Sequence, residues 1–194
     1  MTRRLVWVAV GVMLWGTGAD LAIQASGRAT FTAAFPMAIT SCGQSADALT
    51  VSLLSRRMRL DHAFEPLLNA DALPRFRTLI VVVGGSLKGL GEVGMDEQRE
   101  LARVGGLLAR ARRTGVTVIA VHVGGAARRG SISDRFIGLV IAEADFIIVT
   151  EAGNVDGLFT KVSRARAVPL VVVAQPAEVG RELKALFPAP AGAW

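Results

Sequence analysis

Two side chains in this 194-residue sequence have the types needed for covalent or acid–base chemistry: the single cysteine, Cys42, and His122, one of two histidines. A Cys–His pair oriented by Asp134, Glu151 or Asp156 would suit acyl transfer, with the thiolate attacking and the imidazole moving the proton. Cysteine is, however, among the most buried residue types, and no local spacing links these two positions. The expectation is therefore a small buried Cys42 and a hydrogen-bonded His122 at a strand end. A hydrolase or transferase using His122, with Cys42 or a water, is the alternative. Ser86 stands in G-G-S-L-K, which is not the G-x-S-x-G nucleophile elbow. His62 falls on an expected edge strand and is read as exposed. One cysteine and two histidines leave no cysteine-built zinc site, and no metal centre is expected.

Anion binding is better supplied. Four loops rich in glycine and hydroxyl groups each lead toward a helix: Thr40–Ser45, Gly84–Gly91, His122–Ser131 and Glu151–Gly157. Glycine allows close approach of backbone N–H groups, and a helix N-terminus favours negative charge. Ser41, Gly43, Gln44 and Ser45 form the expected cradle. Gly84, Gly85 and Ser86 add donors, with Gly124 and Gly125 in the third loop. Lys88 and Arg128 or Arg129 supply positive charge, and Asn154 and Asp156 would read a polar substituent. The acids of these loops are Glu151 and Asp156, too few for paired-carboxylate glycoside chemistry. Residues 89–94 (GLGEVG) match G-x-G-x-x-G by chance: the match begins six residues after Val83, and no acidic residue ends the next strand. Lys88 precedes its glycine, so there is no Walker A loop.

These loops need a frame that brings them to one edge. Apolar runs predict strands at Phe35–Ser41, Thr78–Val83, Val116–Val123, Phe146–Thr150 and Leu170–Ala174, with a short edge strand in Arg59–Phe64. Helical periods predict helices at Ala46–Arg57 with Ser45 as N-cap, Asp96–Thr114 stopping at Gly115, and Ile132–Glu143. The third would start at Ser131 through an S-x-x-D capping box with Asp134. Leu158–Ala167 and Ala177–Phe187 complete the set. Regular alternation with wholly apolar strands predicts a three-layer, doubly wound α/β fold whose parallel sheet has the order 2-1-3-4-5, with room for a sixth strand. Ligands of such sheets bind at the carboxyl ends of the strands, where the order reverses.

The hydrophobic fraction of 52% then divides between that sheet and an N-terminal segment. Arg3 and Arg4, the apolar run Leu5–Trp15 and a small-residue zone read as a secretory leader over 1–25, cleaved near Ala25 or retained as an anchor. The run is shorter than the ~20 residues a spanning helix needs, so any membrane contact is through this segment alone. A single domain over 26–187 and a flexible tail over 188–194 follow, in a protein exported to the periplasm or beyond. The net charge is +6. Arg99, Arg103, Arg110 and Arg113 share one arc of the long helix and read as a solvated face. With no tyrosine and no aromatic platform, nucleic acid is excluded as the main partner.

The first loop, Thr40-x-Cys42-Gly43-x-Ser45, resembles the phosphate loop of flavodoxins, which implies a flavodoxin-like fold and a phosphate or carboxylate in that turn. It departs from that pattern at Cys42, and no Trp or Tyr in the later loops can stack on a flavin, so a flavin is not expected. A strand ending Val83-Gly84 lacks the phosphoacceptor aspartate of receiver domains. Taken whole, ITSCGQSADAL (39–49), VVVGGSLKGLG (81–91), HVGGAARRGSISD (122–134) and EAGNVDGLFTK (151–161) resemble an uncharacterised family of exported bacterial α/β proteins. That resemblance implies location and fold, and a small residue at the place of Cys42. The functional expectation is a non-catalytic domain that binds a small anionic molecule. A partner-docking module of an envelope or transport assembly is a further alternative.

Overall fold

Uninterrupted apolar stretches such as TLIVVV can be buried on both faces only inside a parallel sheet covered by helices on either side. The computed structural model, which describes residues 31–187, has that arrangement. The leader expected over 1–25 and the tail over 188–194 lie outside the described residues. Strands β1 (Met37–Cys42), β2 (Ala63–Phe64), β3 (Thr78–Val83), β4 (Thr117–His122), β5 (Phe146–Thr150) and β6 (Leu170–Val173) form one six-stranded sheet in the order β2-β1-β3-β4-β5-β6. Every pairing is parallel. The predicted order thus holds and gains its sixth strand.

Helices α1 (Asp47–Arg57), α2 (Leu87–Glu92), α3 (Glu97–Thr114), α4 (Ser131–Ile141), α5 (Leu158–Arg166) and α6 (Val179–Leu186) make the crossovers. Successive strand residues face opposite sides. Leu79, Val81 and Val83 therefore meet Val104 and Leu107 of α3, Phe136 and Val140 of α4 and Phe159 of α5. Ile80 and Val82 meet Val51 of α1 and Val179 and Leu183 of α6. All six residues of β3 are buried, each apolar one contributing about 1.5–3 kcal/mol of transfer free energy.

Several local expectations change. α1 begins at Asp47 with Ala46 as N-cap and no side-chain cap, so Ser45 is not the cap its type suggests. α4 is preceded by Gly130 at φ 120°, and Asp134 gives its carboxylate to Arg129 instead of closing a capping box. The loop Gly84–Gly91 folds into α2, whose N-cap Ser86 accepts from the Gly89 N–H at 3.1 Å. α3 starts where predicted, with Asp96 accepting from the Arg99 N–H at 2.8 Å, and ends at Gly115 at φ 69°. The edge strand shrinks to two residues, and His62 beside it is half-buried, its Nε2 2.8 Å from Ser52 Oγ.

Candidate functional site

The strand order reverses between β1 and β3, and the first two loops meet there. Gly43, at φ 95°, lies so close to the second loop that a Cβ would sit 2.6 Å from the Gly84 carbonyl oxygen. The Ser86 N–H donates to the Gly43 carbonyl at 2.8 Å, the Gly84 N–H to that of Cys42 at 3.0 Å, and Gln44 bridges to Gly85. Beneath them lies Glu100 of α3, fully buried. Its Oε1 accepts from the Gly43 N–H at 2.9 Å, from Gln44 Nε2 at 2.9 Å and from Arg103 Nη2 at 2.8 Å. Arg103 closes the ion pair through Nε at 2.8 Å and donates to the carbonyls of Leu68 and Ser41 at 2.7 and 2.6 Å. Burial alone would raise the Glu100 pKa. Hydrogen bonds and charge from Arg103, with those from Gly43 and Gln44, outweigh it and hold the carboxyl below its ordinary range.

Arg103 therefore leaves the solvated face on which its arc placed it, and the turn resembling a phosphate loop encloses the chain's own carboxylate. The donors expected for a ligand at Gly43, Gln44, Gly84, Gly85 and Ser86 are mostly engaged inside the protein, Gly85 with Ser133 Oγ at 3.0 Å. Above this layer opens a cleft of about 470 Å³ whose lining includes Ser41, Gln44, Ser45, Ser86, Lys88 and Arg128. Ser41 and Ser45 are only 1% and 5% exposed, and neither hydroxyl has a hydrogen-bond partner. Ala46, Ala48 and Leu49 bring the uncapped N-terminus of α1 to the same cleft. The Lys88 side chain is 89% exposed and 3.8 Å from Glu92, and Arg128 Nε is 3.9 Å from Asp47 Oδ2.

His122 ends β4 without reaching this cleft. It is fully buried, stacked on Phe159 with ring centroids 5.5 Å apart, and its Nδ1 lies 2.9 Å from the Val83 carbonyl. A carbonyl only accepts, so Nδ1 carries the proton and Nε2 is the lone-pair nitrogen. Burial depresses its pKa, keeping the ring neutral. Nε2 makes no hydrogen bond, and neither do Asp47 Oδ2 and Thr150 Oγ1. Gly153 packs against this histidine so closely that a Cβ would sit 2.5 Å from His122 Cδ2 and 3.2 Å from Thr150 Oγ1. Cys42 is two strands away, roughly 10 Å at sheet spacing, and burial pushes its thiol far up, away from the thiolate form. The structure does not bring Cys42 and His122 together.

The remaining predicted residues organise loops. Arg129 donates to Asp134 Oδ1 at 2.7 Å, to the Gly153 carbonyl at 2.7 Å and to both Asp156 oxygens at 3.0 and 2.8 Å. Those bonds draw the Asp156 pKa down to about 2. Asn154 accepts from the Phe159 N–H at 3.1 Å and donates to Thr160 at 2.7 Å, so it shapes the start of α5. Gly124 lets Arg128 fold over the strand end, since a Cβ there would fall 2.1 Å from Arg128 Cγ, and Gly125, at φ 59°, opens the turn Ala126–Arg128. Sequence reasoning passed over Asp47, Glu100, Arg103 and Thr150. The spacing of Glu100 and Arg103, three apart on a helix, was the one available signal. Among the described residues no three His, Cys, Asp or Glu side chains are grouped to hold a metal.

The model of a family described as a domain of unknown function, DUF6305, matches residues 34–187. Neither the curated proteins nor the solved structures provide a match. The family match covers every strand and helix of the sheet domain, and the chain belongs to the DUF6305 family.

Proposed function

We propose that this chain is a non-catalytic binding domain that takes a small anionic molecule in the cleft at the carboxyl edge of its sheet. One observation carries the reading. Seven buried side-chain polar atoms among the described residues lack a hydrogen bond, and five of them, on Ser41, Ser45, Asp47, His122 and Thr150, lie at this edge. Protein interiors leave few polar groups unsatisfied, so exceptions on residues that line a cleft favour a ligand that completes them. Two of the five belong to Ser41 and Ser45, residues of the cleft lining beside Lys88, Arg128 and the uncapped start of α1. Hydroxyl donors, a helix N-terminus and two cations suit an anion. The leader read over residues 1–25 supports export.

Catalysis has less to support it, because His122 and Cys42 are fully buried and neither lines the cleft. The test is a thermal-shift screen of the full chain with phosphate, nucleotides and small carboxylates. A bound anion should raise the melting temperature in a concentration-dependent way. Ser45→Ala and Arg128→Ala should each weaken binding about tenfold, the loss of one hydrogen bond to a charged group. A screen without shifts, or shifts unchanged in both variants, refutes the assignment.

A further inference from the structure

The cleft has a second chemical character that the anion alone does not use. Leu49 and Val93 are 50% and 40% exposed, and with half-buried Phe64 they line the same cleft as the two serines. These three come from separate elements, α1, the end of α2 and β2, so one local irregularity does not account for them. Apolar surface left open in a concave site is a standing cost that an apolar substituent of a ligand removes. The size agrees: about 470 Å³ is roughly fifteen waters' share of liquid volume, well beyond a bare oxyanion.

The charges limit the head group. Lys88 faces Glu92 at 3.8 Å and Arg128 faces Asp47 at 3.9 Å, so each cation is already partly balanced. The unbalanced attraction comes from neutral hydroxyls and from the α1 N-terminus, equivalent to about half an elementary charge. That field suits one negative charge better than two.

We infer that the ligand is a carboxylate of single charge with a short apolar or aromatic substituent, its head on Ser41, Ser45 and the α1 N-terminus and its tail against Leu49, Phe64 and Val93. This rests on the anion-binding reading and specifies the class of ligand for the same site. The experiment is a calorimetric titration of the full chain with acetate, butyrate, hexanoate, benzoate and inorganic phosphate. Affinity should rise about three- to fourfold per added methylene from acetate to hexanoate. Hexanoate should bind more tightly than phosphate, and Leu49→Ser and Val93→Ser should each weaken hexanoate about fivefold while leaving acetate unchanged. Both positions are exposed, so the folded state tolerates the changes. Phosphate or acetate binding as tightly as hexanoate overturns the carboxylate-with-tail class and leaves the anion site standing. Hexanoate binding unaffected by both serine variants overturns the placement of the tail. If no anion binds at all, both readings fall.

Discussion

Glu100 explains why a glycine-rich turn after a first strand looks the same whether its occupant is a ligand or the protein itself. The turn needs an anion against the Gly43 N–H, and a carboxylate 57 positions along the chain supplies it. Helical periodicity identifies which arc of α3 faces the sheet, but not which charge at the edge of that arc lies under a distant loop. Arg103 was therefore read with Arg99, Arg110 and Arg113, although its side chain is nearly buried and anchors the loop from below. The pair makes stability depend on pH in a defined direction. The folded pKa of Glu100 lies below its ordinary 4.5. Its stabilising contribution is therefore complete above that value and is lost as the pH falls through the folded value. Glu100→Gln leaves Arg103 buried without its counter-charge, which should cost about 3 kcal/mol at pH 7 and lower the melting temperature by about 10 °C. The variant should also lack part of the wild-type loss below pH 4.5. Melting curves recorded from pH 7 down to pH 3 decide it: parallel wild-type and variant profiles would show that Glu100 carries no such role.

Strands and long helices were readable because their signals are repeated along the element. Val81–Val83 and Ile147–Val149 are apolar at every position, and α3 shows its buried face at Val104, Leu107, Leu108 and Ala111. Caps rest on a single residue, and there the tertiary structure took over. Ser45 has the type of an N-cap, yet α1 begins two residues later and the hydroxyl is buried without a hydrogen-bond partner. Of the residues that the sequence singles out, Ser41, Gln44, Ser45, Ser86, Lys88 and Arg128 line one cleft. Most backbone donors assigned to it close loop on loop instead. The GLGEVG stretch likewise acquires a steric meaning in place of a nucleotide-binding one. A Cβ on Gly89 would fall 1.9 Å from the Gln44 carbonyl oxygen, so α2 packs on the first loop only through a glycine, whereas a Cβ on Gly91 would meet nothing within 4 Å. Gly89→Ala should therefore destabilise the domain by about 1–3 kcal/mol, as overpacking against backbone does, and weaken anion binding by displacing Ser86 and Lys88. Gly91→Ala should be neutral or stabilising by up to about 1 kcal/mol, from helix propensity alone. Denaturant titrations of the two variants separate packing from propensity. Equal effects would mean that α2 does not rest on Gln44.

At the scale of the whole molecule, the two ends of the described chain and the cleft lie at opposite edges of the sheet. The Ala33 N–H donates to the Leu186 carbonyl at 2.7 Å, and Ala34 exchanges hydrogen bonds with Thr78, the first residue of β3. Phe31 packs on Phe146, the first residue of β5, and Phe35 on Phe187, each with ring centroids 4.7 Å apart. All these contacts are at the amino edge, whereas the cleft opens beyond the carboxyl ends, about 20 Å away along six-residue strands. A leader or anchor before residue 31 would thus leave the domain on the side away from the cleft, and tethering and binding can coexist. The described segment before β1 nevertheless belongs to the fold: without it Thr78 Oγ1 loses both partners and Phe146 and Phe187 lose their aromatic neighbours. A chain beginning at Ser26 should melt with the full-length protein and bind the same carboxylates. One beginning at Pro36 should lose about 4–6 kcal/mol, from three hydrogen bonds at about 1 kcal/mol each and two aromatic pairs at about 0.5–1.5 each. Its affinity, measured below its lowered melting temperature, should be unchanged because no cleft residue is removed. If the Pro36 chain is as stable as the Ser26 chain, residues 31–35 are not part of the domain. If the Ser26 chain loses carboxylate affinity, the first 25 residues reach the cleft and the separation of the two edges does not describe the protein.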